Sequence, residues 1–325
     1  MAEHNPISKA RLFELIRAFE QENGRFPFRK NIRELPESAE YAVIKYFGTL
    51  ENAKISYFLA SGNTESTNPG FSTTLVVPDA HVGPGQDLSR FDALSKLINH
   101  KRPTRIIFMG DFVTLEALSN WDLQKAGIME GKRYWEDVAA GREALRRSLK
   151  LPFGYEPEVV YIKGNHETRL ERYVETKPEL TGMLDLVKDL QLAEVGITQV
   201  VEYRDSIEFD GVIFTHAPQN AANQAVSGKY AIHRAAEMSA KSTVFVHTHR
   251  NEGVNYYRHG AGDITQLKMA GAFFEHTDDY AYGGLNSYWR GLMLLTHWKD
   301  GRFDVEEISL ERLKLLYPEQ QFTPE

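Results

Sequence analysis

Two pairs of side chains in this sequence have the type and spacing to bind metal ions. Asp79 and His81 lie two residues apart directly after an apolar run, and His247 and His249 repeat that spacing later in the chain. In an extended backbone, residues i and i+2 point to the same side, so each pair is expected to reach one cation. Either pair alone is a weak signal, because such short patterns arise often by chance.

Further residues of the same chemical kind follow other apolar runs. They are Asp111, Asn165, His166 and His216. Glycine precedes the first two of them, at Gly110 and Gly164, and is expected to let the backbone approach a neighbouring segment closely. A lone histidine such as His216 is more often structural than a ligand, so it is the complete set that predicts a metal site.

The complete set combines two carboxylates, one amide oxygen and five histidines. Such a mixture of nitrogen and oxygen ligands suits Mn²⁺, Fe, Zn²⁺ or Ni²⁺ better than Ca²⁺. A carboxylate such as Asp111 can bridge two cations about 3.5–4 Å apart, as in hydrolases that use two metal ions. The sequence has no cysteine, which excludes disulfides and thiolate catalysis.

Short apolar runs deliver these residues at their C-terminal ends, and each run is predicted to be a β-strand. The runs are 72–77, 105–109, 159–163, 212–215 and 243–246. Helices are predicted at 89–100, 134–150 and 168–192, the last as a cap over the site, and 253–308 is predicted to be rich in β-strands. Ligands bind at the carboxyl ends of strands in α/β sheets, so the runs are expected to meet at that edge.

The composition is that of an ordinary globular protein, with 42% hydrophobic and 26% charged residues. No apolar run approaches the roughly 20 residues that span a bilayer, and no basic segment followed by an apolar one marks a signal peptide. The sequence therefore predicts a cytoplasmic protein without membrane contact. The net charge of -7 argues against a uniformly basic surface that coats nucleic acid, but leaves a local basic patch open.

A run of small and polar residues at 61–70 is typical of a linker or an exposed loop. It separates two predicted domains, a helical appendage at 1–68 and a catalytic domain at 69–325. In the appendage, Leu12, Leu15 and Phe19 recur at helical spacing, and further helices are predicted at 38–47 and 50–59.

The candidate ligands and their glycines occur in a characteristic order along the chain. The order is Asp79-x-His81, Gly110-Asp111, Gly164-Asn165-His166-Glu167, His216 and His247-x-His249. This series resembles that of the calcineurin-like metallophosphoesterase superfamily over 71–308. The resemblance implies an α/β (α+β) fold, a four-layer αββα sandwich of the metallophosphoesterase type.

The resemblance also implies roles for individual residues. One metal is held by Asp79, His81, Asp111 and His249. The other is held by Asp111, Asn165, His216 and His247. His166 is not a ligand in that family but contacts the phosphate and protonates the leaving oxygen, so His166 and Asp111 are the expected catalytic residues. The expected substrate-binding residues are Asn165, His166 and Arg169.

Two of these assignments have alternatives or departures from the family pattern. Arg169 and Arg172 could bind phosphate, or form surface pairs with Glu167 and Glu171 on the predicted helix. The second motif of the family reads Gly-Asp-x-x-Asp, often followed by Arg, whereas Thr114 stands at the second Asp here and no Arg follows. This departure weakens a protein Ser/Thr phosphatase interpretation. The last motif has Val246 where the family has Gly, and neither departure removes a ligand.

The N-terminal segment resembles the helical repeat found beside homing endonucleases. The similarity lies in Gly24-Arg25-Phe26-Pro27 and in Ile44-Lys45-Tyr46-Phe47-Gly48-Thr49-Leu50. It implies DNA binding, which the basic residues of the segment favour. The alternative is an appendage for helical packing or oligomerisation.

The expected function is hydrolysis of nucleic-acid or nucleotide phosphodiesters, through a hydroxide that bridges two divalent cations. Mn²⁺ is the expected metal, with Fe, Zn²⁺, Ni²⁺ and Mg²⁺ as alternatives. The expected partner is a phosphoester substrate, with DNA as one candidate, and the oligomeric state is left open. One alternative function is a phosphomonoesterase or protein phosphatase. Another, of a different class, is a DNA-binding or scaffold protein with a structural metal site.

Overall fold

A computed structural model describes residues 7–23, 32, 35, 39–47, 71–119, 126–257, 264–275, 288–298 and 300–318. The chain divides into two compact units, Met1–Pro69 with Pro152–Tyr155, and Gly70–Leu151 with Glu156–Glu325. Within the described part of the chain, no helix has the length and apolar character needed to cross a membrane.

The described residues of the first unit include the helices α1 (Lys9–Asn23) and α2 (Ala39–Phe47), as predicted. Its buried core consists of Leu12, Leu15, Ile16, Ile32, Ala39, Ala42 and Val43. The apolar residues of α1 recur every three or four positions, which turns them to one face of the helix. The helix predicted at 50–59, the linker at 61–70 and the turn at Gly24 to Pro27 lie outside the described residues.

The second unit is built on two mixed β-sheets. The first sheet has the order β11-β10-β1-β2-β3-β4, with strands β1 (Thr73–Val77), β2 (Arg105–Phe108), β3 (Glu158–Ile162), β4 (Gln199–Val201), β10 (Gly291–His297) and β11 (Phe303–Ser309). Strands β1 to β4 are parallel, and β10 and β11 extend the sheet in antiparallel pairing.

The second sheet has the order β5-β6-β7-β9-β8. Its strands are β5 (Ile207–Phe209), β6 (Val212–Phe214), β7 (Ser242–Phe245), β8 (Asn251–Tyr257) and β9 (Ile264–Ala270). The central strands β6, β7 and β9 are parallel, and the two edge strands run antiparallel to them. The strand-rich character predicted for 253–308 is confirmed by β8 to β11.

The two sheets pack face to face around a shared apolar core. Val76, Ile107 and Val160 of the first sheet belong to one buried cluster with Phe214 and Val244 of the second. Successive side chains of a strand point to opposite faces, so each sheet keeps a second face for helices. The sheet-on-sheet centre forms the two inner layers of the domain.

Helices cover the outer faces. On the first sheet these are α3 (Ser89–Lys101), α5 (Tyr134–Ser148) and α9 (Leu310–Leu316). Phe91 of α3 contacts Phe112, whose ring also contacts Phe108 and Tyr161. On the second sheet, α8 (Ala231–Met238) packs against β8 and β9. The layers follow the order helix, sheet, sheet, helix, which confirms the predicted αββα sandwich.

The helical region predicted at 168–192 is broken into short pieces. They are α6 (Thr168–Thr176), a 3₁₀ turn at Pro178–Leu180, α7 (Leu186–Asp189) and a 3₁₀ turn at Leu192–Val195. Lys177 precedes Pro178, and a residue in that position is biased away from the helical conformation. Gly182 has a positive φ of 79°, which a continuous helix does not allow. The short helix α4 (Ala126–Met129) lies elsewhere, before α5.

Candidate metal centre

The candidate ligands follow strands of both sheets. Asp79 and His81 follow β1, Asp111 follows β2, and Asn165 follows β3. From the second sheet, His216 follows β6, and His247 and His249 follow β7. The structure therefore brings the predicted residues to one place, at the carboxyl ends of parallel strands.

One group of possible ligands consists of Asp79, His81 and His249. Their nearest nitrogen and oxygen atoms all lie within 4.8 Å of one another, and His249 Nε2 is 2.9 Å from Asp79 Oδ2. Asp79 Oδ1 is fully buried, and within the described part of the chain no hydrogen bond reaches it. A buried carboxylate oxygen without a donor is costly unless a cation compensates it, so this group fits a metal ion.

A second group consists of Asp111, His216 and His247, with the same close spacing. His216 Nε2 lies 3.5 Å from Asp111 Oδ2 and 3.2 Å from Asn165 Oδ1. Its other nitrogen, Nδ1, donates to the carbonyl of Met109 at 2.8 Å, which leaves Nε2 as the nitrogen with a free lone pair. Asp111 Oδ2 also lies 3.8 Å from His81 Nε2, so Asp111 stands between the two groups.

The backbone at these ligands differs from the predicted one. Four of them have positive φ angles, namely His81 (44°), Asp111 (46°), His247 (72°) and His249 (57°). The expectation that an extended backbone turns each i, i+2 pair to one side is therefore wrong. Asp79 and His81 still lie in one group, but His247 and His249 fall into different groups, so the second pair does not reach one cation. Left-handed conformations cost energy for residues with a Cβ, and such strain is concentrated at functional sites.

Gly110 and Gly164 have the role predicted for them. A Cβ added at Gly164 would lie 2.1 Å from Asp111 Oδ1, and one added at Gly110 would lie 2.6 Å from the backbone nitrogen of Gly164. The two loops after β2 and β3 thus touch backbone to backbone. This contact places the carboxylate of Asp111 next to the turn that carries Asn165 and His166.

Glu167 secures this contact, a role that sequence reasoning missed. Its side chain is 1% exposed. Oε2 accepts hydrogen bonds from the N–H groups of Asp111 (2.9 Å) and Gly164 (2.7 Å), and Oε1 accepts from Phe112 N–H and the Tyr161 hydroxyl (2.8 Å each). Burial raises the pKa of Glu167, as does Asp111 nearby, and the hydrogen bonds from Gly164 and Tyr161 oppose that rise. The only available signal was its place directly after the Gly164-Asn165-His166 turn.

His166 lies beside the two groups and is held by the loop after β2. Its backbone N–H donates to Asp111 Oδ1 at 2.8 Å, and its ring Nδ1 donates to the carbonyl of Thr114 at 2.9 Å. The other ring nitrogen, Nε2, lies 3.1 Å from the guanidinium of Arg169. Although His166 is close enough to His81 and Asp111 to share a cation, its Nε2 faces a positive charge, which disfavours a ligand role.

The two arginines after this turn bind backbone carbonyls. Arg169 donates to Thr114 O at 2.8 Å, and Arg172 donates to Asn165 O at 3.0 Å. The alternative prediction paired these arginines with Glu167 and Glu171. Both carboxylates have other partners, since Glu167 binds backbone N–H groups and Glu171 pairs with Lys163 at 2.9 Å. Arg169 is thereby fixed at the side of His166 that faces the candidate ligands.

The charges of the site follow from its burial. Burial alone would raise the pKa of Asp111, but His166, His216 and His81 together hold it well below its usual range. Burial lowers the pKa of His166 to about 3 and also lowers the pKa of His247. Burial opposes protonation of His216, yet Asp111 and Asp79 raise its pKa. Ionised Asp111 with neutral His166 and His247 is the protonation state in which such side chains bind cations.

Aromatic rings enclose the first group of ligands. The ring centroid of Phe274 lies 4.8 Å from that of His81, and the ring centroid of Tyr288 lies 4.6 Å from that of His249.

No protein-family profile and no curated protein matches this chain. Solved structures with partial likeness include Vps29 from Entamoeba histolytica complexed with Zn²⁺, at 13% identity and a TM-score of 0.32, covering 73% of this chain and 99% of that one. A second is TT1561 of Thermus thermophilus, which has 8% identity and a TM-score of 0.33, with the same coverages of 73% and 99%. Similarity this low carries no argument about function, which therefore rests on the geometry of the site.

Proposed function

We propose that this protein is a hydrolase of phosphoester bonds that depends on two divalent metal ions. One observation carries the proposal: two groups of histidine and aspartate side chains, all buried except the half-buried His247, lie side by side, and Asp111 stands within reach of both. A carboxylate in that position is what a pair of cations about 3.5–4 Å apart requires.

The donor atoms fit such a pair. Asp79, His81, Asp111 and His249 would hold one cation, and Asp111, Asn165, His216 and His247 the other. Mn²⁺ suits this set of oxygen and nitrogen ligands, as do Fe, Zn²⁺, Ni²⁺ and Mg²⁺. When bound, the cations would lower the pKa of water and neutralise phosphate oxygens.

His166 and Arg169 are the proposed groups for the substrate. Arg169 provides a fixed positive charge for a non-bridging phosphate oxygen. The ring of His166 is fixed by the bond from Nδ1 to Thr114 O, and Nε2 lies against the guanidinium of Arg169, the group proposed to hold the phosphate. A bound phosphate anion favours the protonated imidazole, which can then donate its proton to the leaving oxygen.

Phosphodiesters of nucleic acids or nucleotides are the proposed substrates, with the first unit contacting DNA. Arg17 and Lys45 support this proposal because both are exposed on the helices of that unit. Exposed basic side chains provide the non-specific, salt-dependent part of DNA affinity. The deletion of residues 1–68 should therefore weaken DNA binding and reduce its salt dependence, as a gel-shift titration at several salt concentrations would measure.

A phosphomonoesterase is the alternative within the same chemistry, and a protein with a purely structural metal site is the alternative outside it. The pair formed by His166 and Arg169 argues against the structural alternative. A structural metal site needs neither a proton donor such as His166 nor a positively charged side chain such as Arg169 beside its ligands. Metal binding without turnover would favour it nonetheless.

The experiment that tests the proposal is Mn²⁺-supported hydrolysis of bis-p-nitrophenyl phosphate and of p-nitrophenyl phosphate. We expect the diester to be hydrolysed faster, with activity abolished in Asp111→Ala. His166→Ala should lose less activity, because p-nitrophenolate leaves with little need of a proton. His233→Ala is the matched control, because His233 is an exposed histidine on α8 that belongs to neither group of ligands. Preference for the monoester would indicate a phosphatase. Equal activity in wild type and Asp111→Ala would refute a two-metal mechanism.

A further inference from the structure

A buried carboxylate lies behind the loop that holds His166. Asp137, in the first turns of α5, is 2% exposed. Its Oδ1 accepts a hydrogen bond from the Thr114 hydroxyl at 2.8 Å, and the carboxylate also accepts one from the backbone N–H of Ala117. Burial raises the pKa of Asp137 to about 6, and both hydrogen bonds oppose that rise. None of the candidate ligands contacts this side chain, so a metal site alone does not account for it.

Thr114 links the carboxylate of Asp137 to His166 and Arg169. Its hydroxyl faces Asp137, while its carbonyl accepts hydrogen bonds from His166 Nδ1 at 2.9 Å and from Arg169 at 2.8 Å. One residue therefore joins a buried acid on one side to both proposed substrate-contacting groups on the other.

The loop between these contacts is strained. Leu115 has a φ of 45°, in the left-handed region that residues with a Cβ rarely adopt. Such a conformation persists only where its surroundings hold it. Asp137 holds Thr114 and Ala117, the residues on either side of the segment that contains Leu115, and this strained turn aims the Thr114 carbonyl at His166.

We infer that Asp137 is a positioning residue for hydrolysis, which acts through Thr114 to fix the ring of His166. The inference rests on the proposed function. A carbonyl opposite Nδ1 requires a proton there. Nε2, which accepts from Arg169 in the neutral ring, is then the nitrogen that can take up a proton and donate it to the leaving oxygen. If Asp137 or the Thr114 hydroxyl is lost, the loop can relax and the imidazole can take the other tautomer.

A purely structural Asp137 would behave differently in one measurable respect. Its loss would lower the stability of the domain and reduce activity on every substrate alike. A residue that positions His166 affects most the substrates whose leaving oxygen needs a proton. The p-nitrophenolate leaving group hardly needs one, whereas an alkoxide does.

The experiment compares Thr114→Val, Asp137→Ala and the double variant on two methyl phosphodiesters, one that releases p-nitrophenol and one that releases an alkyl alcohol. We expect each single variant to lose about 10–100-fold in kcat on the alkyl ester, the range found for partners of site residues, and less than about 3-fold on the p-nitrophenyl ester. The double variant should be no worse than either single one, because both act through the same bond. Thr114→Ser, which keeps the hydroxyl, should restore activity.

Glu136→Ala is the matched control, since Glu136 is the exposed neighbour of Asp137 on the same helix. Asp137→Asn keeps an oxygen for the Thr114 hydroxyl and serves as the second variant should Asp137→Ala not fold. Equal losses on both esters, or no loss on the alkyl ester, would overturn the inference.

A second measurement does not depend on turnover. The tautomer of His166 can be read from the ¹⁵N chemical shifts of the histidine rings in the metal-free protein, with His166→Gln to assign its signals. We expect Nδ1 of His166 to carry the proton in wild type. Thr114→Val and Asp137→Ala should show a mixture of the two tautomers. An unchanged spectrum in both variants would also overturn the inference. A wild type that binds metal but hydrolyses neither ester would contradict the proposed function instead, while the spectra would still decide whether Asp137 fixes the ring.

Discussion

The buried carboxylate of Glu167 is expected to hold together the two loops that carry Asp111 and Asn165, and Glu167→Gln tests this. The substitution keeps the size of the side chain and replaces one oxygen by an NH₂ group. Both oxygens of Glu167 face donors: the N–H groups of Asp111 and Gly164 on one side, Phe112 N–H and the Tyr161 hydroxyl on the other. The amide nitrogen of glutamine cannot accept from any of them.

The loss of stability can be worked from these contacts. The least costly orientation turns the NH₂ group towards Tyr161, whose hydroxyl can rotate and accept. Phe112 N–H is then left without a partner, and Val113 N–H loses a longer bond of 3.4 Å to the same oxygen. Together these losses cost about 1–3 kcal/mol, the range for a buried donor. The two bonds that remain lose their charge, a further loss of roughly 1 kcal/mol each. Relief of repulsion from Asp111 opposes these terms, so we expect unfolding to become easier by about 2–4 kcal/mol.

Urea unfolding followed by circular dichroism measures this change, with Glu171→Gln as the matched control. Glu171 is one helical turn further along α6, half-exposed, and paired with Lys163, so its substitution should cost less than about 1 kcal/mol. The same samples should bind Mn²⁺ more weakly when residue 167 is changed, because Asp111 loses its backbone support. If the two substitutions alter stability equally, the hydrogen bonds of Glu167 do not hold the loops together.

Two further predictions concern the packing of the site and the pH dependence of stability. Gly164→Ala should abolish tight Mn²⁺ binding in calorimetry, because the new Cβ would lie 2.1 Å from Asp111 Oδ1. Gly127→Ala is the control and should bind Mn²⁺ as wild type does, because its new Cβ would have no atom within 4 Å. Normal Mn²⁺ binding by Gly164→Ala would contradict the close approach of the loops. Burial lowers the pKa of His297 to about 4 in the folded protein, whereas its usual pKa is about 6.5. The unfolded chain therefore takes up a proton first, so the folded state is fully stable above about pH 6.5 and loses free energy of unfolding as the pH falls towards 4. Wild type should therefore lose about 2 kcal/mol more than His297→Gln between pH 7 and pH 5, and equal losses in urea titrations would refute this.

The outline of the fold and the members of the site could be predicted because they depend on local patterns. Strands β1, β2 and β3 are short apolar runs that end at polar or glycine residues, and the structure places their ends within one or two positions of the prediction. The glycine at 164 signals a close approach whatever its partner is.

What could not be predicted depends on contacts between segments far apart in sequence. Glu167 resembles an ordinary helical acid until the loops after β2 and β3 meet and present their N–H groups to it. The left-handed backbone of His81 and His249 likewise has no local signal, since neither is a glycine or an asparagine. In the same way, nothing in the sequence connects Asp137 with Thr114, which lies 23 positions earlier.

The division of the ligands between two sheets has a consequence for the time at which the site forms. The first group of ligands combines Asp79, which follows β1, with His249, which follows β7. These residues are far apart in sequence, since Asp79 is separated by 168 positions even from His247, which precedes His249. Contacts over such separations form late, because a long loop must close before they can be made. A growing chain on the ribosome cannot complete either group before His247 and His249 have been synthesised and the second sheet has docked. Cation capture would then mark the finished domain, and partly made chains would remain unable to attack phosphoesters.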